Sequence, residues 1–292
     1  MSRTSTSVSR PPQAPQSRLL ASGAGWSLYD VICHAGPLDR PFEERHDKVS
    51  ISAVIAGSFN YRTEAGNAVL YPGALMLGNF GACYQCGHEH GVGDRCVSLQ
   101  LEPDLFAEIA ASAAASSHFR FGAALLPAMS RTLPIIADMA ANLERAEPMQ
   151  GEIAVADILE TVIELEGGYT AEPSTPSGRD NHRIAAALRY VEEHADEPVA
   201  LDELAAMAAM SKYHFLRIFR VVTGMTPYQF LLNCRMRQAA TRLGTSLDPI
   251  AHIAYASGFG DLSTFNRRFR ETFGLSPKAF RARDRRYRPL DE

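Results

Sequence analysis

FLRIFRVVTGMTPYQF (Phe215–Phe230) returns fifty residues later as FNRRFRETFGLSPKAF (Phe265–Phe280). Seven positions are identical: Phe215/Phe265, Arg217/Arg267, Phe219/Phe269, Arg220/Arg270, Gly224/Gly274, Pro227/Pro277 and Phe230/Phe280. One supersecondary unit is therefore used twice. In each copy the phenylalanines recur at helical spacing and form an inward stripe. Ser211 and Asp261 stand where N-caps belong, and Gly224 stands where a helix closes in the left-handed conformation. A shorter helical segment precedes each, over Leu201–Met210 and Pro249–Gly260. In the first, Asp202 and Glu203 lie near the positive N-terminus. Two short helices, a tight turn and a basic outer face on the second helix make a helix-turn-helix.

The outer face of the first copy holds Lys212, Tyr213, Leu216, Arg217 and Arg220; that of the second holds Leu262, Ser263, Asn266, Arg267 and Arg270. Such a unit sets its second helix in the major groove of DNA. Arginine there reads guanine through O6 and N7. Arg220 and Arg270, nearer the helix ends, are expected to meet phosphate, which adds affinity without sequence information. For any single residue the competing reading is a solvated helix face. Arg217 and Arg267 stand apart because the repeat places them alike. A helix over Tyr228–Leu243 joins the units; if rigid, it holds two reading helices for successive major grooves on one DNA face, roughly 34 Å apart.

Residues 182–282 resemble the DNA-binding domain of AraC-type transcriptional regulators. SKYHFLRIFRVVTGMTPYQF, the joining helix with Arg235, Ala239 and Leu243, and IAYASGFGDLSTFNRRFRETFGLSP carry the resemblance. It implies a seven-helix bipartite domain, binding to promoter DNA, contact with RNA polymerase, and activation more than repression. By motif position the base readers are Tyr213, Leu216 and Arg217 in the first unit and Leu262, Ser263, Asn266 and Arg267 in the second. Leu216 and Leu262 depart from the polar residues often found there; each either touches a thymine methyl or is idle.

The formal net charge of -4 hides an asymmetry. Residues 1–178 carry 11 Lys+Arg against 20 Asp+Glu, a balance of -9; residues 179–292 carry 18 against 13, a balance of +5. A basic half on an acidic chain points to a polyanionic partner for that half. The stretch YTAEPSTPSGRDN (169–181), dense in Pro, Ser, Thr and Gly, reads as the linker. Residues 1–17 read as a disordered tail without a secretory apolar segment, and residues 283–292 as a charged tail. No apolar run reaches the roughly 18 residues that a membrane span needs. An odd count of five cysteines suggests reduced thiols in a cytoplasm.

Residues 18–168 begin with β-like runs, over 49–62, 67–78 and 94–103. In the last, Val97, Leu99 and Leu101 share one face, and Cys96, Ser98 and Gln100 the other. Short strands with Gly-bearing turns suggest a small barrel or sandwich. Helical stretches follow over 104–115, 127–144 and 152–166. In the last of these, Val155, Ile158, Leu159, Val162 and Leu165 form a stripe that either packs on its own domain or makes a dimer seam. The AraC resemblance, weaker in this half, implies a cupin-like β-barrel with dimerising helices, and so an α+β chain that ends in an all-α domain. It implies a homodimer answering an effector.

ACYQCGHEHGVGDRC (Ala82–Cys96) gathers three of the five cysteines and two of the nine histidines. Zinc takes sulfur and nitrogen ligands, often at Cys-x₂-Cys spacing. On an extended strand Cys86, His88 and His90 share a face. The expected ligands are those three, with Cys96 or, in a cupin-like barrel, His46 as the fourth; Cys83 points away. The ion is zinc or iron. A thiol redox switch and a plain hydrogen-bonded wall are the alternatives. Histidines around iron would suit an oxygenase, and a zinc-bound cysteine would suit the methyl-accepting alkylation-repair regulators. The chain lacks the second cysteine module of the latter, and a non-enzymatic regulator is expected. A DNA-bending structural protein would need neither a sensor domain nor two base-reading faces.

Overall fold

The computed structural model describes residues 15–41, 43–88, 93–114, 116, 118–143, 151–168 and 176–285. The first part runs β1 (Gln16–Gly23), β2 (Trp26–Cys33), β3 (Glu43–Arg45), β4 (Val49–Ala56), β5 (Phe59–Thr63), β6 (Gly66–Leu70), β7 (Leu75–Gly78), β8 (Cys83–Gly87), β9 (Asp94–Leu101), α1 (Pro103–Ala113), β10 (Leu125–Leu126), α2 (Leu133–Ala141) and α3 (Gly151–Gly167). Two sheets result, ordered β1-β2-β9-β4-β7-β10 and β3-β8-β5-β6. Among the described residues no ladder closes them into one barrel.

Strand alternation decides which way each face looks. Val97, Leu99 and Leu101 of β9 pack with Ile51 and Ala53 of β4 and Leu28 of β2 into the core beneath the helices. The opposite face, with Cys96, Ser98 and Gln100, looks into a cavity shared with the four-stranded sheet. The stripe on α3 is buried in that helical core beside Phe106 and Ala110 of α1. It packs on its own domain, because the outer face of the six-stranded sheet needs a cover.

The second part is helical: α4 (Gly178–Glu193), α5 (Leu201–Met207), α6 (Lys212–Thr223), α7 (Pro227–Thr245), α8 (Ile250–Ala256), α9 (Leu262–Phe273) and α10 (Pro277–Arg285). No described helix is long and apolar enough to cross a membrane. Its core joins Phe215, Phe219 and Phe230 of the first unit to Phe265, Phe269 and Phe280 of the second. The same cluster takes in Val69, Tyr71, Ala74, Ala128 and Leu133 from the β-rich part. Tyr71 Oη donates to Thr223 O at 2.9 Å, Arg237 donates to Pro72 O at 2.7 Å, and Arg283 pairs with Asp138 at 2.7 Å.

Several expected boundaries move. Gln16 and Ser17 belong to β1 rather than to the tail, whose first fourteen residues lie outside the described ones. Among its described residues, the stretch 127–144 is helical over Leu133–Ala141, because Leu125 and Leu126 pair with β7 and Thr132 ties the intervening turn. Residues 169–175 of the linker are outside the described ones; Gly178–Asn181 is already helix, capped by the Ser177 side chain on Asp180 N. The last helix continues past residue 282 to Arg285.

Candidate nucleic-acid interface and the cavity behind it

Helix α6 starts where Ser211 Oγ accepts from His214 N, and α9 starts where Asp261 Oδ1 accepts from Thr264 N. Both end in left-handed glycines, Gly224 at φ 74° and Gly274 at φ 69°, whose N–H groups bond back to Arg220 O and Arg270 O. The turns before them match as well. Ala209 at φ 48° plays in the first unit the part of Gly258 at φ 81° in the second. The equivalence is visible in their backbone bonds, Met210 N to Ala205 O and Phe259 N to Ala254 O. The second turn is one residue longer.

Phe215, Ile218, Phe219 and Thr223 are buried on α6, as are Phe265, Phe269 and Phe273 on α9. Lys212, Tyr213, Arg217 and Arg220 are exposed on one helix, and Ser263, Asn266, Arg267 and Arg270 on the other. Tyr213 is 87% exposed, a large aromatic that no internal packing explains. Leu216 is half-buried. Leu262 is half-buried too and packs against the C-terminal core, so part of its surface goes to folding rather than to DNA. Lys212 pairs with Asp202 at 2.5 Å, and Arg267 with Glu271 at 3.3 Å. Exposed pairs of this kind are worth about 0–1 kcal/mol, which a phosphate or base edge readily outbids. Among the described residues no carboxylate pairs with Arg217, Arg220 or Arg270.

The two units are held by α7. A capping box of Thr226 and Gln229 starts it, and nineteen residues give it a length of about 28 Å. Arg235 donates to Ala195 O and Glu197 O in the connection that leads into the first unit, and Arg242 to Ala256 O of the second.

The helix-turn-helix domain family matches residues 204–283, the span of both units. SoxS of Salmonella typhimurium is 34% identical over 100 residues, which are 34% of this chain and 94% of that protein. The chain belongs to the AraC-type family of transcriptional regulators. The MmsAB operon regulatory protein of Pseudomonas aeruginosa is 36% identical over 96 residues, and the match spans only 31% of its length. The uncharacterized HTH-type transcriptional regulator YbfI of Bacillus subtilis is 26% identical over 228 residues, covering 75% of this chain and 78% of that protein. This AraC-type regulator is thus a DNA-binding transcriptional regulator.

The first half of the regulator encloses a cavity of about 290 Å³ between its two sheets. Strand β8 sends Tyr84 and Cys86 inward, followed by His88; Cys83 is not among the residues lining the cavity. His90 lies outside the described residues. His46 borders the cavity but has both ring nitrogens engaged, Nε2 with Tyr61 Oη at 2.8 Å and Nδ1 with Ser50 Oγ at 3.3 Å. Tyr61 gives its proton to Leu77 O, so it accepts from Nε2–H, and Nδ1 accepts from Ser50. Burial, opposed by Asp47, lowers the His46 pKa to about 4. It is a neutral, hydrogen-bonded histidine, and the fourth-ligand role expected of it is already occupied by protein partners.

His88 behaves in the opposite way. Burial opposes its charge, but Asp94 and Cys33 outweigh that and raise its pKa to about 9. Its Nε2 lies 2.5 Å from Asp94 Oδ2. Cys96 Sγ lies 3.6 Å from Asp94 Oδ1. Burial and nearby carboxylates push the thiols of Cys86 and Cys96 up, away from the thiolate that a redox switch needs. Among the described residues, the side chains that converge as possible metal ligands are Cys33, His88 and Asp94, with ligand atoms within 4.8 Å of one another. Only His88 of these was legible as a candidate. Cys33 arrives from β2, where it pairs directly with Asp94 of β9.

Proposed function

We propose that this regulator reads a promoter with α6 and α9 together, in two successive major grooves, and that a signal bound in the N-terminal cavity changes its occupancy of that site. The duplicated capped helix with Arg217 and Arg267 at equivalent exposed positions carries the reading. The length of α7 and the anchors of Arg235 and Arg242 favour a fixed relation between the two reading helices. The paired sheets with a cavity between them suit a cupin-like sensor. At about 290 Å³ it lies at the small end of ligand sites. The effector must bind one domain arrangement better than another to act. Tyr71, Arg237 and Arg283 give those arrangements a physical basis, since each ties the sensor half to the DNA-binding half. Family membership favours activation through RNA polymerase and a homodimeric state. The α3 stripe is unavailable as the dimer seam.

Hydroxyl-radical footprinting of the full chain on a selected binding site tests this. Two protected windows about one helical turn apart, roughly 34 Å, are expected from each chain. One window per chain contradicts the two-groove reading.

A further inference from the structure

We propose that Cys33, His88 and Asp94, with water completing the tetrahedron, form a binding site for a thiophilic divalent cation of the zinc class. The inference deepens the sensor reading of the same cavity, but the binding itself does not depend on DNA recognition.

The fold brings these side chains together from two sheets. Cys33 ends β2 and Asp94 opens β9 as its cross-strand partner. His88 follows β8 of the other sheet. The entry to β9 is clamped by backbone: Gly93 N donates to Ala35 O at 2.8 Å. Gly93 sits at φ 76°, and a Cβ there would lie 2.5 Å from Cys33 O. A Cβ on Gly57, at φ 80°, would lie 2.4 Å from Gly93 O. Two glycines thus let the start of β9 lie close against Cys33.

The donor set is chemically selective. One thiol, one imidazole and one carboxylate within 4.8 Å suit tetrahedral zinc. A carboxylate alone would favour hard ions, whereas sulfur selects softer ones. His88 and Asp94 have side chains only 4% and 8% exposed. Burying such polar groups is costly unless they are paired or coordinate a metal. On binding, the Cys33 thiol proton and the His88 Nε2 proton leave to solvent, the His88–Asp94 hydrogen bond opens, and the ion takes its place. The ion would then tie the six-stranded sheet to the four-stranded one.

Cobalt(II) titration of the reduced full chain, followed by competition with zinc, tests the site. A single tetrahedral cobalt with thiolate charge-transfer absorption is expected, displaced by zinc. Cys33→Ser and His88→Gln should each weaken binding by on the order of a hundredfold or more, since even outer-sphere changes cost 10–100-fold. Cys83→Ser should bind like wild type. Circular dichroism and DNA binding of the same variants report folding and the regulator reading separately. Two results overturn the site: no cobalt or zinc bound by folded wild type, or undiminished binding by folded Cys33→Ser and His88→Gln. Rapid alkylation of Cys33 without metal binding would instead mark a reactive thiol and also overturn it.

Discussion

Tyr71 of the β-rich half donates its hydroxyl proton to Thr223 O, the last residue of the first reading helix, at 2.9 Å. Both residues are fully buried, Tyr71 within the apolar cluster that spans the two halves. Tyr71→Phe leaves that carbonyl without this donor. An unsatisfied buried group costs about 1–3 kcal/mol, and denaturant melts should show a loss in that range. Tyr71→Ala should cost more, about 3–5 kcal/mol, because the ring packing against Phe230 goes too. Unchanged stability in both variants would mean that the two halves do not dock through this tyrosine.

His46 predicts an acid limb. Its folded pKa of about 4 lies below the unfolded 6.5, so the unfolded chain binds more protons between those values. Stability is full above pH 6.5 and falls as the pH drops towards 4. The total is about 3 kcal/mol, at about 1.4 kcal/mol for each pKa unit. His46→Gln keeps a polar side chain but cannot titrate, and should flatten that limb in melts from pH 7 to pH 4. An unaltered pH profile in the variant would contradict the neutral, buried imidazole.

The two turns predict opposite effects from opposite substitutions. Ala209 holds φ 48°, a conformation glycine adopts without cost. Ala209→Gly should therefore raise stability by about 0.5–1 kcal/mol. Gly258→Ala should lower it by more, because a Cβ there meets Arg235 Nε at 2.7 Å and Ala195 O at 2.9 Å. Thermal melts of both variants check the pair; a gain from Gly258→Ala would contradict the geometry of the second turn.

Much of the DNA-binding half was legible because its signals are local. Caps at Ser211 and Asp261, the closing glycine and the phenylalanine stripe all lie within a few residues of what they organise. Alternation along β9 was legible for the same reason. The helix over 152–166 was legible as amphipathic, but what its stripe would face was not, since the sheet it covers lies far earlier in the chain. Cys33 was passed over because its neighbour Asp94 is brought to it by β2–β9 pairing across the fold. Spacing within residues 82–96 drew attention to Cys86, His88 and His90 instead, and the cupin-like barrel to His46, which the fold gives to Tyr61 and Ser50. Leu262 looked outward by repeat position, yet tertiary packing claims part of its surface. The Tyr71 and Arg237 contacts left no trace in sequence, because hydrogen bonds to carbonyls do not constrain the partner's side chain.

The central claim is that two equivalent helices read DNA together, and the affinities of Arg217→Ala and Arg267→Ala for one selected site, against unrelated DNA at fixed salt, test it most directly. Each substitution should cost about 1–3 kcal/mol on that site and relax preference at a different base position. Wild-type affinity and preference in both variants would contradict the account.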